Sequence, residues 1–206
     1  MQRYIIKKAS DPANPFEGVM PVQLAHYHPQ GTPGYTPAVL AWLSWDAEGL
    51  YLLMRAYERE ILATQTAPNS AVYTDSCMEF FFNLAPHTGE QYVNLELNAL
   101  GTMLMGFGDD AQSQRQRFTP ADFAITPALR LGGPAPHWDV ALRFPWAEAR
   151  RFYPSLAPAS GMTFRGNFFK CGDGTGAPHY GSWNQVDPAI PVRFHANSSF
   201  GILILE

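Results

Sequence analysis

Glu79 stands just before three consecutive phenylalanines in VYTDSCMEFFF, and Asn94, Glu96 and Asn98 recur at every second residue of YVNLELN. Carboxylates and amides repeating with a period of two are what one face of a β-strand presents. Fixed on rigid strands, such groups can take two adjacent hydroxyls at once, because each hydroxyl both donates and accepts. Glu79 and Glu96 also offer a second chemistry: two carboxylates roughly 5 Å apart suit cleavage of a glycosidic bond with retention.

The elements that must position these groups follow from the same alternation. CMEFFFN, residues 77–83, reads as a strand after the turn-like Tyr73-Thr74-Asp75-Ser76, with Met78, Phe80 and Phe82 on one face and Cys77, Glu79 and Phe81 on the other. YVNLELN alternates completely, with Val93, Leu95 and Leu97 opposite Tyr92, Asn94, Glu96 and Asn98. Its aliphatic face must look into a core, which leaves the amides and carboxylates outside. Antiparallel pairing through the loop around His87-Thr88-Gly89 brings Glu79 onto that polar face, and Arg55 of the preceding hairpin is a further candidate for it.

Strand patterns also appear in AVLAWLSW, LYLLMRAYE, GTMLMGF, FAITPALRL, WDVALRFPW, MTFRGNFFK and FGILILE, with a short helical candidate at AEARRFY. About nine strands against one or two short helices predict an all-β antiparallel β-sandwich, immunoglobulin-like or jelly-roll-like. The chain reads as a single domain over 1–206, with 1–37 as an irregular N-terminal arm rich in proline from Asp11 to Pro37.

Bulk composition narrows the partners. The 206 residues are 46% hydrophobic, 14% aromatic and only 16% charged, enough to bury a sizeable core without staples. A net charge of -4 gives no pull toward phosphate backbones or anionic lipid, so neither nucleic acid nor a membrane is expected as partner. No signal-peptide run opens the sequence; the expectation is cytoplasmic as the sequence stands, and secreted if a leader has been removed. Cys77 and Cys171 lack zinc-ligand spacing and read as two buried thiols or one disulfide. Trp42, Trp45, Trp138 and Trp146 lie in or beside strands and read as packing, whereas Trp183 sits among the turn formers of GDGTGAPHYGSWNQ, where a large ring suggests a binding group.

The segments YTDSCMEFFF, YVNLELNALGTM, HWDVALRFPW and the Trp183 region ending in FHANSSFGILILE, in that order, resemble the family 9 carbohydrate-binding modules and their stand-alone relatives, from about Ala38 onward. The resemblance implies non-catalytic binding of a mono- or oligosaccharide in a slot between aromatic side chains and a polar strand face, with association with a glycoside hydrolase a further implication. It casts Tyr73, Asp75 and Glu79 as the aromatic, acidic turn and strand glutamate of the family, and Trp183 as the second aromatic. Asn94, Glu96 and Asn98 match the family's polar strand in location and partly in type, while Asn167 and Lys170 lie where further polar contacts belong. Members of the family commonly carry tryptophan where Tyr73 stands.

No cofactor is expected, although a structural calcium ion, held by some relatives of the family, is compatible with the resemblance. His26, His28 and the pair Asp109-Asp110 are the concentrated ligand sets, and neither has zinc or EF-hand spacing. Two alternatives to sugar binding stay open at this point: a glycoside hydrolase using Glu79 and Glu96, and a haem-binding sandwich with Met103 or Met105 and His179 or His195 as axial ligands.

Overall fold

A computed structural model describes residues 1–111, 114–119, 128–131 and 137–206. The chain forms fourteen strands in those segments: β1 (Arg3–Lys8), β2 (Val22–Gln23), β3 (His26–Tyr27), β4 (Ala38–Trp45), β5 (Gly49–Tyr57), β6 (Cys77–Asn83), β7 (Tyr92–Asn98), β8 (Met103–Gly108), β9 (Gln116–Phe118), β10 (Ala128–Leu131), β11 (Trp138–Pro145), β12 (Thr163–Cys171), β13 (Tyr180–Ser182) and β14 (Gly201–Leu205). The one α-helix among the described residues is α1 (Trp146–Phe152). The strands expected from alternation are present, and of FAITPALRL the last four residues form β10 while 123–127 lie outside the described residues.

The strands run β10-β11-β5-β4-β1-β14-β12-β6-β7-β8-β9. Two sheets meet at β1, whose first half pairs with β14 and whose end pairs with β4, both parallel. The sandwich is therefore mixed rather than purely antiparallel. This also corrects the irregular N-terminal arm: Arg3–Lys8 is the strand that passes from one sheet to the other, as corner strands do in packed sheets. Its alternation is short, with Tyr4 and Ile6 buried and Ile5 exposed, which is why the sequence pattern does not announce it.

The core lies between the sheets. From β6 and β7 it receives Met78, Phe80, Phe82, Val93, Leu95 and Leu97; from the other sheet Val39, Leu43, Leu52, Met54, Val140 and Phe144. Phe80 stacks on both Phe82 and Phe168 with centroids 4.7 Å apart, so the three-phenylalanine run supplies two rings to one interior cluster. Phe81 points the other way, into a second cluster with Tyr92, Phe169, Val186 and Phe200. The outer face of β6, β7 and β12 is thus not open to solvent. Segments after β13 fold over it as a partial third layer, with Phe194 stacked on Phe169 at 4.4 Å.

Candidate functional site

Glu79 and Glu96 occupy directly opposed positions on β6 and β7, on the covered outer face. Where the overlying segments part, a cleft of about 370 Å³ reaches down to both carboxylates. Its other walls come from Tyr73 on the 3-10 turn before β6, Leu104 on β8, Cys171 and Asp173 at the end of β12, Tyr180 on β13, Arg117 on β9, and the segment Val192–His195. Its volume lies within the range of about 300–1,000 Å³ usual for small-molecule sites.

The two glutamates are held differently. Glu96 Oε1 accepts a hydrogen bond from Asn94 Nδ2 at 2.9 Å and lies 3.7 Å from His195 Nε2. Asn94 is fixed in turn by Arg115, whose Nε and Nη2 donate to its Oδ1 at 3.1 and 2.7 Å. Glu79, only 2% exposed, receives the Cys171 thiol at 3.0 Å and the Cys77 thiol at 3.9 Å on Oε1. Burial pushes its carboxyl well above the ordinary glutamate range, and the neighbouring Cys171 and Glu96 add to the rise.

The aromatic walls are Tyr73, 42% exposed, and the half-buried Phe194 and Tyr180, which meet edge to face at 6.4 Å. His195 lies over the Phe81 ring at 4.8 Å, and its Nδ1 is 2.9 Å from the Tyr92 hydroxyl. Ring faces beside carboxylates form a surface on which the C–H face of a sugar can stack while its hydroxyls are hydrogen-bonded.

Of the residues expected at the site, Tyr73, Glu79 and Glu96 line this cleft, and Asn94 supports Glu96 from behind it. The others do not line it. Trp183 is packed in the core, 2% exposed, edge to face with Phe168 at 5.8 Å and with Tyr4 at 6.4 Å. Its ring lies over Gly201, where an added Cβ would stand 2.5 Å from it. The turn formers around Trp183 disguise a short strand, β13, that docks on β12 and delivers the ring inward, with the Trp183 amide donating to Phe168 O at 3.0 Å.

Asp75 and Asn98 form a closed network. The Asp75 carboxylate accepts from Thr64 N, Thr64 Oγ1, Gln65 N and Asn98 Nδ2 at 2.8–2.9 Å. Burial alone would raise that carboxyl, and the hydrogen bonds from Gln65, Asn98 and Thr64 outweigh it and hold it below its ordinary value. Asn98 Oδ1 caps the β7–β8 turn by accepting from Leu100 N and Thr102 N, and Gly101 supplies the positive φ of 77° there. Asn167 ties two overlying segments to β12 through Asn184 O and Ser199 O. Lys170 is on the core side of β12, its Nζ 3.1 Å from Glu58 Oε1, with Trp138 Nε1 donating to Glu58 Oε2 at 2.6 Å. Arg55 is in the other sheet, in a bidentate pair with Asp139 at 2.7 and 2.8 Å.

Glu79 and Glu96, the pair considered for hydrolysis, stand side by side on one sheet face, Glu79 among thiols and Glu96 beside Asn94 and His195. Met103 and Met105 point into the core, on the opposite side of the sheet from His195, and His179 is buried beside Glu58 and Lys170, so these candidate haem ligands do not face each other across a haem-sized gap. The sets considered for metals are engaged elsewhere: His28 Nε2 lies 3.0 Å from Ile190 O, Asp109 accepts from Ala111 N, and Asp110 accepts from Asn197 N.

Sequence reasoning missed Phe194 and singled out His195 only as a haem-ligand candidate; both stand in the irregular run IPVRFHANSS. The available signal was an aromatic residue on a loop over a rigid sheet, the same signal that singled out Trp183.

The model of carbohydrate-binding family 9 matches residues 22–205. No curated protein sequence matches the chain. A candidate carbohydrate-binding protein from Bacteroides uniformis ATCC 8492 has a similar structure, with a TM-score of 0.81 at 24% identity over 100% of this chain and 99% of that one. A family 9 carbohydrate-binding module from Caldicellulosiruptor kristjanssonii, solved with glucose and with cellotriose, gives TM-scores of 0.68 at 15% and 14% identity, over 100% of this chain and 96% and 94% of the module. With the family model covering most of its length and the fold shared throughout, the chain belongs to carbohydrate-binding family 9.

Proposed function

We propose that the chain binds a mono- or oligosaccharide, without cleaving it, in the cleft floored by Glu79 and Glu96. The observation that carries this reading is the meeting in one cleft of two strand-mounted carboxylates with the rings of Tyr73, Tyr180 and Phe194. Glu96, oriented by Asn94, accepts hydrogen bonds from sugar hydroxyls, while Asp173, Arg117 and Arg193 offer further polar contacts along the walls. The rings take the C–H faces of the sugar at low entropic cost. Glucose and short β-glucans, the kind of ligand in the C. kristjanssonii complexes, are the first compounds to try.

A shallow polar site of this kind gives affinities in the millimolar to micromolar range, about 4 to 8 kcal/mol. A binder with no cleavage chemistry of its own serves polysaccharide breakdown by concentrating a catalytic partner on substrate, so association with a glycoside hydrolase follows as the partner expectation. The test is a glycan array followed by calorimetry, with Glu96→Gln and Phe194→Ala as controls. Binding that both substitutions weaken supports the assignment; no binding across the array, or binding that neither substitution touches, contradicts it.

A further inference from the structure

Cys77 and Cys171, far apart in sequence, are directly opposed on β6 and β12. Both are free thiols, and both point to the face that carries Glu79, two residues after Cys77. We infer that Cys77, Cys171 and Glu79 form a binding site for a thiophilic divalent cation, of which Zn²⁺ and Cd²⁺ are the probes, at the floor of the cleft.

The geometry fits such an ion. The two sulfurs and a Glu79 carboxylate oxygen all lie within 4.8 Å of one another, with Cys171 Sγ 3.0 Å and Cys77 Sγ 3.9 Å from Oε1. Tetrahedral zinc, with bonds of about 2.3 Å to sulfur and 2.0–2.2 Å to carboxylate oxygen, sets neighbouring ligand atoms about 3.5–3.8 Å apart. Shifts of about 1 Å or less therefore convert the present cluster into a three-ligand site. Cys171 and Glu79 also line the cleft, so the fourth position faces it and an ion has a way in.

Charge is the second, independent observation. Other buried carboxylates here are compensated: Glu58 by Lys170, Asp139 by Arg55, and Asp75 by its ring of donors. Glu79 is buried as deeply, yet among the described residues no lysine, arginine or histidine pairs with it, and its carboxylate neighbour is Glu96. A buried carboxyl with no paired charge either keeps its proton or meets a cation. A disulfide between the cysteines would leave Glu79 as it is, whereas a cation engages all three side chains. Two sulfurs and one oxygen favour zinc-like ions over calcium or magnesium. On binding, each thiol becomes a metal-bound thiolate and its proton passes to solvent.

The inference does not depend on sugar recognition, and its test uses no sugar. Reduced full-length protein is titrated with Cd²⁺ while the ultraviolet cadmium–thiolate band is followed, and with Zn²⁺ by calorimetry. One ion per chain is expected, with a thiolate band and release of the protons held by the two thiols and by any protonated Glu79. The band should disappear in Cys77→Ser and in Cys171→Ser, and Zn²⁺ affinity should fall by about tenfold or more in Glu79→Gln, a nearly isosteric change whose fold is checked by circular dichroism. The site is overturned if folded wild-type protein gives no band, if the band survives loss of both cysteines, if Ca²⁺ displaces the ion at equal concentration, or if the thiols close to a disulfide in preference to binding metal under reducing buffer. Because these readouts are made without glycan, a failed metal titration leaves the sugar assignment standing, and the reverse.

Discussion

Glu79 and Glu96 face each other in register across β6 and β7, and only one of them is oriented by an amide. Asn94, locked by Arg115, holds Glu96 as a hydrogen-bond acceptor, while Glu79 is surrounded by thiols. On the reading proposed above, these two residues of one type on one sheet face meet different partners: a hydroxylated ligand at Glu96 and a soft cation at Glu79.

Trp183 and Phe194 should respond in opposite ways. Trp183→Ala removes a fully enclosed indole and is expected to cost about 3–5 kcal/mol of stability, with sugar affinity of the folded fraction little changed. Phe194→Ala costs less stability but lowers sugar affinity by about tenfold, or about 1.4 kcal/mol. Urea denaturation and calorimetry on both variants check the contrast.

Lys170 should behave as part of the interior and not of the cleft. Lys170→Met leaves Glu58 buried without its cation, at an expected cost of about 3–5 kcal/mol. Replacing Glu58 by glutamine in the same chain should recover part of that loss, because the stranded charge is then gone. Stability measured on the two single variants and the double variant gives the coupling.

His179 predicts a pH dependence. Burial first, and then the neighbouring Lys170, lower its pKa from 6.5 to about 4. The unfolded chain takes up a proton near pH 6.5 that the folded chain refuses, so this contribution to stability is complete above that pH. It is lost progressively as pH falls from about 6.5 to about 4, and no further below. Denaturation midpoints across this range should fall for the wild type and fall less steeply for His179→Gln.

Asp75 and Asn98 should prove coupled. Each single change, Asp75→Ala or Asn98→Ala, removes the buried hydrogen bond that joins the two residues and should cost about 1–3 kcal/mol. The double variant should cost less than the sum, by about 0.5 kcal/mol or more, which a double-mutant cycle measures.

Much of this architecture is legible in the sequence. The two faces of β6 and β7 fall as alternation predicts, with Met78, Phe80, Phe82, Val93, Leu95 and Leu97 turned to the core, because successive side chains of a strand point to opposite faces. The same pattern misplaces the environment of their polar residues. Alternation says that Asn94, Glu96 and Asn98 leave the core, but not that later segments cover them, so an expected open face is a nearly closed one. Residues whose fate depends on non-local docking were not legible. Whether Trp183 or Phe194 turns inward depends on β13 meeting β12, and the approach of Cys77 to Cys171 depends on the register of β6 against β12. Neither is encoded by local spacing.

The most direct measurement of sugar recognition is a nuclear magnetic resonance titration of isotope-labelled protein with the best ligand from the array. Shifts concentrated at Tyr73, Glu96, Tyr180, Phe194 and His195, and absent from Glu96→Gln at the same ligand concentration, are the predicted result. Saturable shifts centred on another face, with this cleft silent, would contradict it.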